Sequence, residues 1–557
     1  MSMLKSLALR AAVILPLLLA APAGAQSAAD RLFPPGGQRG ATVTLTFPAM
    51  EKVESATLVV DGEGLKPLGP FVKGVGKVEI APEAEPGVRQ LRLVGPAAAT
   101  EPRPFMVGVL PEVLEAEPND SLDKAQRLEQ LPLTLNGAIP KPGDTDNYRV
   151  ALKKGDCLVV ASESRLLAGP IYLALTVRDA QGRTVGVDVD NRRLDPVFTC
   201  TAPADGEYTL QLTDVTSNMG NVDAHCHYRL HLTTGPWLDF ALPPSVARGS
   251  SARLTVHGWN LGKPGPGTAE LEAPVPSEGE TFHLTAFDAP NRLPLAMTEG
   301  PELPEAEPND RAEQAQPISV PGAAHGTFGR RGDADFFRFT VKAKDRLRIQ
   351  VVGREVDSLA DPRFILRNAE GRVVLQEDDA PRSRDPRAEW TVPADGEYVL
   401  QVEDLAGSSR SGPSSYYRLL ITPMTPELSA VAATPTAVVK PGEKLEWNVT
   451  LYQSFQPDEI ELRLEGLPAG VTAEPVKVAA LKDRTGQSSA KLVLQAAADA
   501  QPGFAVVRLV AVTAGESPRT VPVVWLITGD GGNPLGPGPT AALVALVPAP
   551  EPPAEKK

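Results

Sequence analysis

Pro393-Ala-Asp-Gly-Glu-Tyr-Val-Leu-Gln-Val402 writes a tight turn and the start of a strand in one decapeptide. Pro, Asp and Gly bring a fixed φ, a side-chain acceptor and steric freedom, which are what a turn needs. Tyr398, Leu400 and Val402 then alternate with Val399 and Gln401, the period of a strand buried on one face. Pro203-Ala-Asp-Gly-Glu-Tyr208 repeats the turn 190 residues earlier. Working outward, Glu115-Ala-Glu117-Pro118-Asn119-Asp120 returns as Glu305-Ala-Glu307-Pro308-Asn309-Asp310. Gly143-Asp144-Thr-Asp146 returns as Gly332-Asp333-Ala-Asp335, and Asp179-Ala-Gln-Gly182 as Asn368-Ala-Glu-Gly371. Tyr228-Arg-Leu230 returns as Tyr417-Arg-Leu419. Matches in one order at a shift of 189–190 define two homologous domains, at about 113–235 and 301–424. Leu347, Ile349 and Val351 alternate with Arg348 and Gln350, so each domain reads as an antiparallel sandwich.

The intervals between these repeats echo one another. Pro34-Pro35, Arg39-Gly40 and Leu45-Thr46 recur as Pro243-Pro244, Arg248-Gly249 and Leu254-Thr255. They open two smaller turn-rich β segments, at 30–112 and 236–300. A third β segment runs over 425–528, with strands at 445–451 and 506–512 and a turn cluster from Gly466 to Gly470. Residues 529–557 are rich in Pro and Gly, end in Lys556-Lys557, lack periodicity and are expected to be disordered. The fold class is all-β: tandem β-sandwich domains arranged as beads on a string, with few contacts expected across the linkers near residues 236 and 300.

Composition agrees. Pro (56) and Gly (48) are abundant while aromatics make up 5%, a balance that suits many short strands joined by turns. The net charge of −14 excludes a nucleic-acid partner, which needs a basic face. Lys5 and Arg10, the apolar run at 11–20 broken by Pro16, and Ala23-Gly24-Ala25 before Gln26 read as a signal peptide over residues 1–25. That run is too short to span a bilayer, and no later segment is long and apolar enough for a transmembrane helix. No Cys follows it as a lipid anchor. The expected location is exported: periplasmic, cell-surface or secreted. The three cysteines are Cys157, Cys200 and Cys226. Cys200 and Cys226 fall on the apolar phase of their strands, where a disulfide and two packed thiols fit equally well; Cys157 is expected to face outward.

The order Glu-x-Glu-Pro-Asn-Asp, Gly-Asp-x-Asp plus an aromatic, then Pro-Ala-Asp-Gly-x-Tyr resembles the bacterial pre-peptidase C-terminal domain. That family consists of jelly-roll-like β-sandwiches appended to secreted proteases and other exported proteins, and is similar to the collagen-binding domains of clostridial collagenases. The flanking segments resemble immunoglobulin-like exported modules. In this chain no peptidase domain precedes either copy. The collagen-binding relatives hold structural calcium through the acidic lead segment and a later Asp pair. The resemblance therefore implies calcium ligands at Glu115, Glu117, Asn119, Asp120, Asp144 and Asp146, and at Glu305, Glu307, Asn309, Asp310, Asp333 and Asp335.

The residues support that reading separately. In an extended segment residues two apart share a side, so Glu115, Glu117 and Asn119 line one face, and Pro118 keeps Glu117 extended. Five carboxylates and an amide then converge, a set that repels itself without a hard cation, and calcium takes 6–8 such oxygens. The spacing is not that of an EF-hand. A second reading makes Asp120 with Asp123, and Asp310 with Glu313, the N-caps of short helices through Ala125-Gln126 and Ala315-Gln316.

No Gly-x-Ser-x-Gly, His-Glu-x-x-His, phosphate-binding Gly-Lys loop or Cys-x-x-Cys occurs. His225, His227 and His231 share one phase of a strand, where a transition-metal site and solvent-facing polar positions are the two readings; the second repeat has no matching histidines. Arg331-Gly-Asp333 spells an adhesion tripeptide, with Pro142-Gly-Asp144 in its place in the first repeat. The sequence thus reads as an exported, non-catalytic binding or scaffolding protein contacting a polysaccharide, matrix or cell-envelope protein. The rivals are an accessory factor for a separately encoded secreted peptidase and a divergent hydrolase using paired carboxylates.

Overall fold

The structure is a computed structural model that describes residues 31–164, 166–167, 169, 171–189, 195–215, 226–380, 383–405, 411–525 and 540–547. The expected signal peptide lies outside them. The protein is an all-β tandem array of sandwiches: among the described residues the helical pieces are short 3-10 turns such as Leu122–Lys124 and Ala312–Gln314.

The first repeat packs two five-stranded sheets. One runs Glu112–Leu114, Leu133–Ala138, His227–Thr233, Cys157–Ser162, Val197–Thr201; the other runs Gln126–Arg127, Asp146–Leu152, Gly206–Asp214, Leu173–Arg178, Thr184–Val189. The second repeat has the same order, from Leu303–Pro304 to Arg387–Thr391 and from Gln316–Pro317 to Val373–Glu377. Even the register shifts correspond, at Val177/Arg178 and at Leu366/Arg367.

The repeated motifs have structural reasons. Gly182 and Gly371 adopt φ of 73° and 74°, and the side-chain oxygens of Asp179 and Asn368 accept backbone N–H groups of Arg183 and Arg372 across those turns. Tyr208 and Tyr398 donate their hydroxyls to Ala204 O and Ala394 O, at 2.7 and 3.0 Å. Asp205 and Asp395 accept the N–H groups of Lys154 and Ala343 from a neighbouring turn. The alternating residues then reach the core: Tyr398, Leu400 and Val402, like Leu347, Ile349 and Val351, are buried between the sheets. Each such Leu, Ile or Val contributes about 1.5–3 kcal/mol of burial.

The two segments that precede the repeats are smaller sandwiches with related starts. Gly36–Gln38 pairs parallel with Arg103–Gly108, and Ser245–Ala247 parallel with Leu293–Thr298. Gly40 and Gly249 follow with φ of 80° and 64°, and Leu45 and Leu254 are fully buried. In the last segment the expected disordered tail needs correction over residues 540–547; its other residues lie outside the described ones. Ala541–Leu546 is a strand, antiparallel to Gly503–Thr513 and parallel to Thr436–Val439. All six of its residues are buried, which accounts for its missing alternation.

The expectation of sparse contacts across the linkers is also corrected, because the outer sheet faces carry apolar residues that neighbouring sandwiches cover. Trp237 packs on Val159 and Ala161 of the first repeat, beside Trp259. Phe240 stacks on Tyr416 of the second repeat, with centroids 5.3 Å apart. Arg348 bridges Glu389 and Glu427 at the next joint. Val94 packs against Leu543 and Ala545, and the buried Arg92 donates to Pro435 O (3.0 Å) and Ala541 O (3.2 Å), joining the first segment to the last.

Two further corrections concern side chains on the outward phase of these strands. Cys157 does alternate with Leu158 and Val160, but it is buried at 2% exposure, with Asn260 Nδ2 donating to its carbonyl at 2.9 Å. His227 and His231 are buried rather than solvent-facing: His231 lies 2.9 Å from Thr134 Oγ1 and 3.0 Å from Glu163 Oε2. His225 lies outside the described residues. All three cysteines are free thiols.

Candidate metal centres

The acidic lead segment is held extended by a glutamine. Gln126 Oε1 accepts Ala116 N (2.7 Å) while its Nε2 donates to Leu114 O (3.0 Å). Gln316 does the same to Ala306 N and Pro304 O, at 2.9 and 3.0 Å. The helix-capping reading is thereby corrected. The 3-10 turns follow Ser121 and Arg311, neither of which makes a side-chain cap, and Gln126 and Gln316 belong to strands. Asp120 and Asp310 turn instead toward the later Asp pair.

In the first repeat the six expected residues come together. Glu115, Glu117 and Asp146 place one carboxylate oxygen each within 4.8 Å of one another, and Glu117, Asp120 and Asp144 form a second such group. Glu117 is common to both, so the set divides into an inner and an outer position. Asn119, Asp144 and Asp146 are essentially inaccessible. Glu115 Oε2 accepts Ala138 N, and its Oε1 accepts Asn119 Nδ2 at 3.1 Å. Both oxygens of Asp144, both of Asp146 and Oδ1 of Asn119 are buried without a hydrogen-bond partner. Such groups cost about 1–3 kcal/mol each when neutral and more when charged.

Protonation reflects this. Burial, then the nearby Glu115 charge, pushes the Asp146 carboxyl up to about 10. Burial, then a contact with Asp120, pushes Asp144 up to about 6. Without a compensating cation the inner position therefore holds a proton at neutral pH. The donor set is all oxygen, with carboxylates of two extended segments and an amide, which suits a hard cation.

The second repeat gathers its residues less evenly. Glu307, Asp310 and Asp333 form an acidic group like the outer one. The Asn309 amide lies 3.0 Å from Asp335 Oδ1 and 3.1 Å from Glu307 Oε2: its nitrogen turned toward them donates to both, and its oxygen turned toward them completes an oxygen cage. Glu305 Oε1 accepts the N–H and hydroxyl of Thr327. Asp335 is fully buried with Oδ2 unpartnered, and burial, then Glu305, pushes it up to about 9. Asp333 is 4% exposed, which hides the acid of the Arg331-Gly-Asp333 tripeptide.

The sequence reading missed the groups behind these acids. The Tyr148 and Tyr228 hydroxyls hydrogen-bond each other and both lie 3.4 Å from Glu115 Oε1, and Tyr417 donates to Glu305 Oε2 at 3.4 Å. Tyr228 and Tyr417 stood in the repeated Tyr-Arg-Leu, a signal of position that did not announce a role.

No family model matches the chain. A probable subtilase-type serine protease of Deinococcus radiodurans is 37% identical over 99 residues, which are 17% of this chain and 14% of that protein. The chain thus spans a small part of the length of this curated relative. Among solved structures, the pre-peptidase C-terminal domain of a collagenase from Bacillus anthracis is matched over 99% of its length by 20% of this chain, at 16% identity and a TM-score of 0.17. The four N-terminal immunoglobulin domains of Dscam1 align with 92% of this chain and 96% of their own, at 10% identity and a TM-score of 0.18. Among the described residues no helix is long and apolar enough to cross a membrane.

Proposed function

We propose that this chain is an exported, non-catalytic binding or scaffolding protein whose two repeated sandwiches are stabilised by calcium, and which contacts an extracellular or envelope polymer or protein. The observation that carries it is the duplicated acidic cluster built around a buried pair of aspartates, Asp144 with Asp146 and Asp333 with Asp335. The same acids recur at the same place in both repeats, where an extended lead segment meets the first sheet. Duplication at a structural seam suits ions that lock the fold, whereas a hydrolase needs one open site with a carboxylate pair on either side of its substrate. The test is incubation of the exported chain with casein, gelatin and common glycosides in calcium buffer. No turnover is expected; turnover abolished by Asp144→Asn would make the acids catalytic. A second reading, an accessory factor for a separate secreted peptidase, is favoured by the 99-residue match to a probable serine protease. A peptidase whose activity or secretion rises when the chain is added supports it.

A further inference from the structure

The two repeats differ in the loop that carries the first Asp of the pair. Ile139-Pro140-Lys141-Pro142-Gly143-Asp144 corresponds to Phe328-Gly329-Arg330-Arg331-Gly332-Asp333. Two of these replacements change what the outer carboxylates can bond to. Gly329 N donates to Asp333 Oδ2 at 2.7 Å, but Pro140 has no N–H to offer Asp144. Arg330 donates through its guanidinium to Asp310, and its Nε lies 3.4 Å from Asp333 Oδ1. Both oxygens of Asp333 thus have donors. Lys141, in the corresponding place, sets a single ammonium 3.5 Å from Asp144 Oδ1 and 3.9 Å from Asp120 Oδ1. Both basic side chains are largely exposed, Lys141 at 60% and Arg330 at 66%, so what separates the repeats is the bonding: the buried Asp144 oxygens keep no hydrogen bond.

The difference is chemical as well as geometric. A guanidinium is planar, weakly hydrated and forked, and it spans two carboxylates with directional N–H bonds. An ammonium on a mobile stem is strongly hydrated and swings into water when a divalent ion arrives. We propose that Arg330 serves as the built-in cation of the second repeat, closing the outer position of Glu307, Asp310 and Asp333 to metal, while the outer position of Glu117, Asp120 and Asp144 is open to a divalent cation. The inference rests on the calcium reading above. It makes the two repeats unequal: the first takes one cation more than the second, and its outer carboxylates depend on solution calcium where those of the second do not.

The experiment is calcium titration of the full exported chain by isothermal calorimetry, with circular dichroism confirming that each variant is folded. Arg330→Gln is expected to add one bound calcium per chain, because it leaves three carboxylates facing one another without a charge between them. Arg330→Lys, which installs the side chain of the first repeat, is expected to do the same and serves if the Gln variant does not fold. Lys141→Arg is expected to remove one. Calcium uptake by the parent with a stoichiometry that neither Arg330 variant changes overturns the inference and leaves the calcium reading standing. No uptake by the parent or by any variant removes both.

Discussion

Asp146→Asn is expected to move the stability of the first repeat in opposite directions with and without calcium. In chelator the folded chain keeps a proton on Asp146, whose carboxyl is pushed up to about 10, while the unfolded chain releases it near 3.8. The unfolded state then binds fewer protons, so stability falls as pH rises between those values, by about 1.4 kcal/mol per unit. At pH 7 the gap to 3.8 makes this on the order of 4 kcal/mol, and any folded-state value above 7 gives the same figure. Asparagine carries no such penalty, although an imperfectly bonded buried amide costs about 1–3 kcal/mol. The variant is therefore expected to gain about 1–3 kcal/mol in chelator, or roughly 4 °C per kcal/mol for a domain of this size. With calcium the order reverses. The parent gains about 2.7 kcal/mol at a hundredfold excess over Kd, and the variant, short of a buried charged ligand, gains little. Differential scanning calorimetry of the full chain reads the transitions, and hydrogen exchange of the strand Asp146–Leu152 assigns them. A variant that melts below the parent in chelator as well as in calcium refutes the reasoning.

Three further outcomes are expected. Asp335 is pushed up to about 9, so the melting of the second repeat in chelator should fall as pH rises from about 5 to 8, by up to about 1.4 kcal/mol per unit, and calcium should flatten that slope; calorimetry across pH checks it. Trp237→Ala uncovers Val159 and Ala161 and should cost about 3–5 kcal/mol, with faster reaction of the Cys157 thiol toward Ellman's reagent, whereas unchanged thiol kinetics would mean that the joint does not protect it. Arg92→Met leaves Pro435 O and Ala541 O unpaired and should cost about 1–3 kcal/mol, read as faster hydrogen exchange over residues 540–547.

The repeat was legible because both copies solve the same local problems with the same residues. Asp179 and Asn368 close their turns through the same side-chain oxygen, and Tyr208 and Tyr398 anchor the same corner. The acidic sets were legible as sets, since alternation along an extended segment fixes which side chains share a face. What alternation cannot give is the partner of the other face. Cys157 and His231 sit on the outward phase of their strands and are buried beside the joint with Trp237 and Asn260, while His227 is buried against Leu167 of its own repeat. The strand Ala541–Leu546 was hidden for a related reason: packed on both faces, it has no period, and its Pro- and Gly-rich neighbourhood reads as a tail. The caps expected at Asp120 and Asp310 failed because those side chains turn toward the acidic clusters they share with Asp144 and Asp333. Pro140 against Gly329 and Lys141 against Arg330, invisible as motifs, separate two acidic clusters that the repeat otherwise writes with the same residue types.

The most direct measurement is the melting of the full chain in millimolar calcium, in magnesium and in chelator, for the parent and for a variant carrying Asp120→Asn and Asp144→Asn. Extracellular modules bind calcium at about 10⁻⁴–10⁻³ M, so the millimolar range is where a shift should appear. The expected result is a transition raised by calcium, raised less by magnesium because of its stricter octahedral demand, and lost from the first repeat alone in the variant. Melting curves that coincide in calcium and chelator would contradict the cation-stabilised account of these sandwiches.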